Sequence, residues 1–209
     1  MRPATGPVER EESAAAATFR SAVAALETGI AAQRQVRVEL AFDSERPPRK
    51  LAPFAAAVAA TVHEAETEIG WGRFVLLYDP ACQPGWAGPL RIIAYIRADL
   101  EPEIATDPLI GQVGWSWLTE ALDARTDGYG QTSGTVTRVV TEGFGGKQDE
   151  PVATEFELRA SWSPAGPDSA DPGLDGHVAA WCDALCTASG LPPSAGVSAL
   201  RPPRRRRQQ

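Results

Sequence analysis

The stretch VATEFELRASW, residues 152–162, carries the most regular pattern in the chain. Its even-numbered positions are mainly apolar, from Val152 to Trp162, whereas its odd-numbered positions are mainly polar and include Glu155 and Arg159. Side chains along a β-strand point alternately to opposite faces. The stretch therefore predicts a strand with one packed face and one face that meets water or a partner.

Other strands are predicted on either side of this one along the chain. FVLLY at 74–78 and LRIIAYIR at 90–97 are apolar at nearly every position, which is typical of central strands. The segment 79–89 between them is rich in Pro and Gly, so the pair predicts an antiparallel hairpin. Alternation over 36–41 predicts a first strand, and the β-branched run TVTRVVTE at 135–142 predicts another.

Apolar residues at helical spacing predict four helices. The second places Pro53 in its first turn, where a missing N–H costs no hydrogen bond. The fourth has Asp175 as its N-cap and Gly190 as its C-terminal stop. The first, third and fourth helices are expected at about 13–32, 112–124 and 175–189, and the stripe of the second comprises Phe54, Val58, Val62, Ala65 and Ile69.

These elements follow one another in the order α-β-α-β-β-α-β-β-α, and no segment repeats another. We predict an α+β fold in a single domain, with a mainly antiparallel sheet of about five strands and helices packed on one face. The domain is expected to span 13–190, between a disordered N-terminus at 1–12 and a disordered Arg-rich C-terminal tail at 191–209.

Bulk composition indicates an ordinary globular chain. Its 209 residues are 43% apolar and 22% charged, which fits one domain with a sizeable core. No apolar run approaches the roughly 18 residues that a membrane helix needs, and the N-terminus lacks the apolar centre of a signal peptide. Three cysteines without framework spacing predict reduced, buried thiols. We therefore expect a cytoplasmic protein that does not contact a membrane.

Charge is distributed unevenly along the chain. The formal net charge is −7, and the last nine residues hold five Arg and no acid, so the rest of the chain carries −12. An acidic body repels phosphate backbones, which leaves only the Arg204–Arg207 tail as a region able to bind nucleic acid. The alternative for the tail is a disordered, solubilising end.

The sequence does not support three familiar kinds of site: a hydrolase triad, a Cys/His metal site and a phosphate-binding loop. The chain has only two histidines, His63 and His177, to serve as the base of a hydrolase triad. His177, Cys182 and Cys186 would lie on one helix, but steps of about 100° per residue keep them from converging on a metal. The Gly-rich run at 143–148 lacks the spacing of a phosphate-binding loop and reads better as a hairpin turn. We predict no catalytic residues, metal site or cofactor.

Aromatic and charged side chains are the candidates for binding. A Trp in the Pro- and Gly-rich loop can anchor a protein interface. Two Trp residues two positions apart on a helix cannot share a face, so one of them is free to meet a partner. Ordinary core packing is an equally good explanation of the Trp pair. The candidate residues are Trp86, Arg97, Asp99, Trp117, Arg138, Glu155 and Arg159.

Four blocks of the chain resemble a known family. They are GRFVLLYDPACQPGWAGPLRIIAYIRADLEPEIATDPL, VGWSWLTEALDA, TSGTVTRVVTEGFG and ELRASWSP. Over roughly 13–163 the chain is similar to the actinobacterial family called domain of unknown function 3000 (DUF3000). The resemblance implies an uncharacterised cytoplasmic protein and transfers no catalytic residues. Members are often encoded near a ribonuclease-D-like exonuclease, which connects the family with RNA metabolism.

Three functions are therefore open at this point. The first is a non-enzymatic binding or adaptor module that uses the wet face of its sheet, or a groove beside it, to hold a protein partner. By topology alone, the β-β-α-β-β-α portion resembles small secretion-chaperone-like folds that bind proteins. The second is an accessory factor in RNA processing. The third is a small-molecule enzyme with an unrecognised site around Asp79, Arg97, Asp99 and Arg138.

Overall fold

Strands outnumber helices in the computed structural model, which describes residues 7–101, 104, 106–164 and 173–191. The order of the main elements is α-β-β-β-β-α-β-β-α. They are α1 (Pro7–Val36), β1 (Leu40–Glu45), β2 (Phe54–Glu64), β3 (Thr67–Tyr78), β4 (Leu90–Asp99), α2 (Ile110–Arg125), β5 (Tyr129–Thr141), β6 (Ala153–Pro164) and α3 (Leu174–Ala188), and a 3-10 turn lies at Gly145–Lys147.

The strands form one antiparallel sheet in the order β1-β2-β3-β4-β6-β5. The predicted hairpin is confirmed, because Phe74 of β3 lies opposite Ala94 of β4. All but the first residue of the regular stretch at 152–162 lies in β6, where Phe156 and Leu158 are buried and Arg159 is exposed. The α+β class with an antiparallel sheet is confirmed, with six described strands where about five were expected.

The predicted second helix is wrong, because its residues form β2 and the start of β3. The stripe from Phe54 through Val58 to Val62 has steps of four residues, and four is a multiple of the strand period as well as close to the helix period. Val58 and Val62 consequently point to the same buried face of β2. The turn into β3 uses Ala65, whose φ of 54° lies in the left-handed region. Pairing of β2 with both neighbours overrides the helix preference of its alanines.

The first helix is longer than expected and displaces the first strand. It begins at Pro7, six residues before the predicted start, and includes part of the segment assigned to a disordered terminus. It ends at Val36, so β1 lies at Leu40–Glu45 rather than at 36–41. Val38 is 87% exposed instead of packed. Residues 1–6 and 192–209, including most of the predicted tail, lie outside the described residues.

All three described helices pack on one face of the sheet, as predicted. Alternate residues of the inner strands, such as Phe74, Ile92 and Trp162, are fully buried beneath them. Helix α3 lies between α1 and α2 and contacts β3, β4 and β6. Its Trp181 ring lies 5.5 Å from that of Phe74. Because this layer covers one face only, the other face of the sheet is available to form a site.

The ends of α3 are set by glycines. Gly190 has φ of 80°, and the N–H groups of Gly190 and Leu191 donate to Thr187 O and Cys186 O. This pair of bonds confirms Gly190 as the C-terminal stop. The N-cap is Gly173, and the prediction of Asp175 is wrong, since that side chain lies in the exposed first turn.

Within the described part of the chain, no helix combines the length and the apolar character needed to cross a membrane.

Candidate functional site

The face of the sheet opposite the helices contains a concavity of about 450 Å³. Its floor comes from β3, β4 and β6, and one wall comes from the connection between β1 and β2. We call this region the open-face concavity. Its lining residues are Pro48, Leu51, Trp71, Arg73, Val75, Ile93, Tyr95 and Arg159.

The floor of the concavity is apolar and aromatic. Val75 and Ile93 lie directly opposite each other on β3 and β4. The rings of Trp71 and Tyr95 meet edge to face with centroids 5.6 Å apart, an arrangement favoured by the charge distribution of aromatic rings. Trp71, Ile93 and Tyr95 are half-buried, so each keeps surface that a ligand can cover.

Two guanidinium groups border this floor. Arg73, Tyr95 and Arg159 occupy one row across three neighbouring strands. The guanidinium of Arg159 lies 5.5 Å from the centroid of the Tyr95 ring, within the range of a cation–π contact. Arg73 donates to the carbonyl of Arg46 at 2.6 Å and lies 3.7 Å from Glu45. The lining includes two arginines and no acidic residue.

Tyr95 is a fixed hydrogen-bond donor in this arrangement. Partial burial raises its pKa, and a hydrogen bond to Glu157 raises it further, whereas Arg159 opposes the shift. Arg159 also donates to Glu157 at 3.0 Å. A phenol whose pKa is raised stays protonated near neutral pH. Tyr95 is therefore not available as a phenolate base near neutral pH.

The wall of the concavity is anchored by Asp79. Its carboxylate accepts hydrogen bonds from the N–H of Ala81 and from Gln83 Nε2, both at 2.9 Å. Gln83 also donates to the carbonyl of Leu51 at 2.9 Å, which ties the loop after β3 to the wall. The carboxylate of Asp79 thus supports the wall of the concavity through Gln83.

Four of the seven predicted binding residues lie on the open face. Arg159 lines the concavity, and Arg97 lies beside it, opposite Trp71, in an ion pair with Glu68 at 3.5 Å. Asp99 and Glu155 face each other further along β4 and β6.

The other three predicted residues lie elsewhere. Trp117 belongs to α2, and its ring centroid lies 5.4 Å from that of Phe156 on β6. Arg138 lies on the helix-covered face of β5 and donates to the carbonyl of Asp107 at 3.0 Å. Trp86 is half-buried in the loop between β3 and β4.

The residues of the predicted enzyme site do not converge. Asp79 follows β3 at the end where Leu90 begins β4, whereas Asp99 ends β4. A strand rises about 3.3 Å per residue, so these two carboxylates lie at opposite ends of the sheet. Arg138 is on the other face altogether.

Trp71, Arg73 and Tyr95 are the residues that sequence reasoning missed. The stripe of the predicted second helix ends at Ile69 and the next predicted strand begins at residue 74, so Trp71 and Arg73 were placed on no element, although β3 begins at Thr67. Segment 90–97 was interpreted as buried on both faces, although Tyr95 and Arg97 occupy the same side of β4 as Arg91. Polar and aromatic residues at those alternate positions were the available indication of an open face.

The histidine and cysteines on α3 are packed in the core. Nδ1 of His177 accepts a hydrogen bond from Trp162 Nε1 at 3.2 Å. Cys182 and Cys186 are free and buried, whereas Cys82 is exposed, so the expectation that all three thiols are buried is wrong for Cys82. No cluster of three or more metal-ligating side chains occurs among the residues that the structure describes.

The Gly-rich run at 143–148 lies in the connection between β5 and β6, as a hairpin turn, and includes the 3-10 turn. The Arg204–Arg207 tail lies outside the described residues.

Comparison with known proteins places the chain in a family. Among curated proteins and among solved structures, none matches it significantly. The family model described as "Protein of unknown function (DUF3000)" matches residues 15–198, which include every described strand and the open-face concavity. The chain therefore belongs to the DUF3000 family of proteins of unknown function.

Proposed function

We propose that this protein is a non-enzymatic binding or adaptor module that works in the cytoplasm. Its open-face concavity would hold a segment of a partner protein in which acidic side chains flank an aromatic or branched aliphatic one. The single observation that carries the proposal is the composition of the lining. Apolar and aromatic floor residues lie beside Arg73 and Arg159, with no acid in the lining, on a chain whose formal net charge is −7.

The floor supports an apolar anchor. Leu51 is 45% exposed at the wall, and the half-buried rings of Trp71 and Tyr95 continue the apolar surface. Covering such surface is favourable by about 25 cal/mol per Å² of apolar area. Aromatic residues and arginines are also the side chains most enriched at protein interfaces.

The guanidinium groups support an acidic partner. The Arg159 side chain is 65% exposed beside its partner Glu157, and that of Arg73 is 32% exposed. A guanidinium has five N–H donors, so both groups keep donors for an incoming carboxylate. Outside its Arg-rich last nine residues the chain carries a formal charge of −12, so within that part an acidic segment is attracted to this region.

The cytoplasmic part of the proposal rests on the thiols. Cys82 is exposed and free, and Cys182 and Cys186 are free as well. Unpaired thiols are typical of a reducing compartment.

A peptide-display selection tests the proposal, with the full chain as bait and random linear peptides as probes. We expect enriched peptides to combine acidic residues with an aromatic or aliphatic one. The double variant R73A/R159A should bind them about tenfold more weakly or worse, because two charge pairs are lost. The matched control is R20A, which removes an exposed arginine from α1, in the other layer.

Three results would contradict the proposal. The first is the absence of any enriched peptide, and the second is equal binding of the enriched peptides by the chain with and without Arg73 and Arg159. The third is a small anionic molecule that co-purifies with the chain and is lost only from the double variant, which would assign the concavity to a metabolite instead.

A further inference from the structure

Strand β5 lies at one edge of the sheet and is the longest strand described. It has 13 residues, whereas β1 at the other edge has six. Exposed edge strands pair with other chains unless charges, prolines or bulges prevent it. The half of β5 from Thr135 to Thr141 has one charged residue, Arg138, and no proline. This half therefore lacks the usual protection of an edge.

Exposed apolar side chains concentrate beside this edge. Of the nine large hydrophobic residues that are exposed in the described part of the chain, six belong to two segments that border it. The two segments are adjacent, because Arg138 of β5 donates to the carbonyl of Asp107, three residues before α2 begins. Clustered exposed apolar groups mark interaction surfaces. The six residues are Ile104, Leu109, Val113, Val140, Phe144 and Val152.

We propose that β5 pairs antiparallel with β5 of a second copy of this chain, about a two-fold axis at Val140. The six-stranded sheet would then continue into a twelve-stranded one, with the helices of both copies on the same face. The occupant of the edge is thus a second copy, and the open-face concavity on β3, β4 and β6 remains accessible.

Charge complementarity selects the register. With the axis at Val140 and the pairing continued one residue past the end of β5, Arg138 of each copy would lie opposite Glu142 of the other, which gives two favourable cross-strand pairs. With the axis at Arg138, the two arginines would oppose each other, which is unfavourable. Axes at the other positions from Val136 to Val139 pair Arg138 with uncharged residues.

The same register covers the most exposed aromatic residue. Phe144 is 79% exposed, and its backbone is extended, with φ of −130° and ψ of 158°. About the axis at Val140, Phe144 of one copy lies opposite Val136 of the other. Even-numbered residues of β5 face α2, where Val113 and the N-cap residue Leu109 are exposed. Phe144 would therefore pack beside those two side chains of the second copy.

Sedimentation velocity over a concentration series tests the pairing with the full chain. The wild type should dimerise, and R138E or E142R alone should raise the dimer dissociation constant about tenfold or more, since each creates two like-charge pairs. The double variant R138E/E142R restores opposite charges and should return the constant to near the wild-type value. This rescue separates the proposed register from a loss of folding.

A cross-link gives an independent measurement. In a C82S background, V140C should form a disulfide between copies on mild oxidation, because directly opposed residues have Cα atoms about 4.5–5.5 Å apart. T137C is the matched control, since Thr137 would lie opposite Gly143 rather than itself. A monomer at every concentration, a dimer that both charge reversals leave unchanged, a double variant that does not recover, or T137C cross-linking as well as V140C would each overturn the proposal.

Discussion

Trp162 on β6 donates its indole N–H to Nδ1 of His177 on α3 across 3.2 Å, and both side chains are buried. The bond joins the sheet to the central helix. It requires a neutral imidazole, because a protonated ring has no acceptor. Burial lowers the pKa of His177 to about 4, and the nearby Asp175 opposes that shift only in part. The structure therefore contains a histidine that resists protonation until the medium is strongly acidic.

The free energy of unfolding should decrease as the pH is lowered, because this histidine becomes protonated more readily in the unfolded chain. The unfolded chain takes up the proton near pH 6.5 and the folded chain near pH 4, so stability is complete above pH 6.5 and is lost between the two values. The loss amounts to about 3 kcal/mol. Urea unfolding of wild type and H177N from about pH 7 to pH 4 measures it. The difference in free energy of unfolding between wild type and H177N should narrow as the pH is lowered, and H63Q is the control. If the two stabilities changed in parallel with pH, His177 would not be the group responsible.

Asp183 holds the three helices together. Its carboxylate accepts from Arg37 at 2.8 Å and from Arg125 at 2.7 Å, which lie just after α1 and at the end of α2. The Arg37 side chain is only 4% exposed. D183N should therefore lower the free energy of unfolding by about 3 kcal/mol, because it leaves a buried cation without this carboxylate. R125A, at the more exposed partner, should cost about 1 kcal/mol or less. Equal losses in urea unfolding would contradict this ranking.

Substitution of two glycines of α2 distinguishes the effect of side-chain packing on stability from that of helix propensity. A Cβ at Gly114 would collide with the ring of Phe156, whereas one at Gly111 would meet nothing within 4 Å. Alanine is favoured over glycine in a helix by about 1 kcal/mol at either position. G111A should therefore be neutral or stabilising, and G114A should be destabilising by about 1–3 kcal/mol. Thermal unfolding of both variants measures the difference, and a shift in the same direction for both would show that α2 does not press on β6.

The thiols should react in two classes. Cys82 is exposed, whereas burial raises the pKa of Cys186 to about 11 and raises that of Cys182 as well. Because the thiolate is the reactive form, an aromatic disulfide reagent should modify one thiol rapidly in the native protein and all three in denaturant. In C82S the rapid phase should disappear. A rapid phase that persists in C82S would mean that α3 opens readily.

Much of the fold could be predicted from the sequence, because buried positions recur along a strand or helix at the period of that element. The alternation of β6, the hairpin of β3 and β4, the apolar stripe of α3 and its stop at Gly190 each depend on contacts that local spacing reveals. The assignment failed at β2, where Phe54, Val58 and Val62, spaced by four residues, fit both a strand and a helix. It also failed at Val36 and Val38, which are apolar but exposed.

The candidate site could be predicted only in part, because several of its residues are brought together by contacts between segments distant in sequence. Arg97, Asp99, Glu155 and Arg159 could be named because charged residues stand out in strands. Trp71 and Tyr95 became neighbours only through the register of β3 against β4. The wall from Pro48 and Leu51 depends on a loop held by Gln83, and no local pattern specifies that contact.

The sequence by itself determined the α+β class, the outer and inner faces of its most regular strand, the acidic charge and the lack of spacing for familiar catalytic sites. Tertiary structure decided that β2 is a strand, that β6 lies between β4 and β5, and that Arg73, Tyr95 and Arg159 share one row. The physical reason is that local propensity differs by about 1 kcal/mol or less per residue. Hydrogen bonding and burial between strands distant in sequence outweigh such differences, and the same long-range pairing creates the open-face concavity.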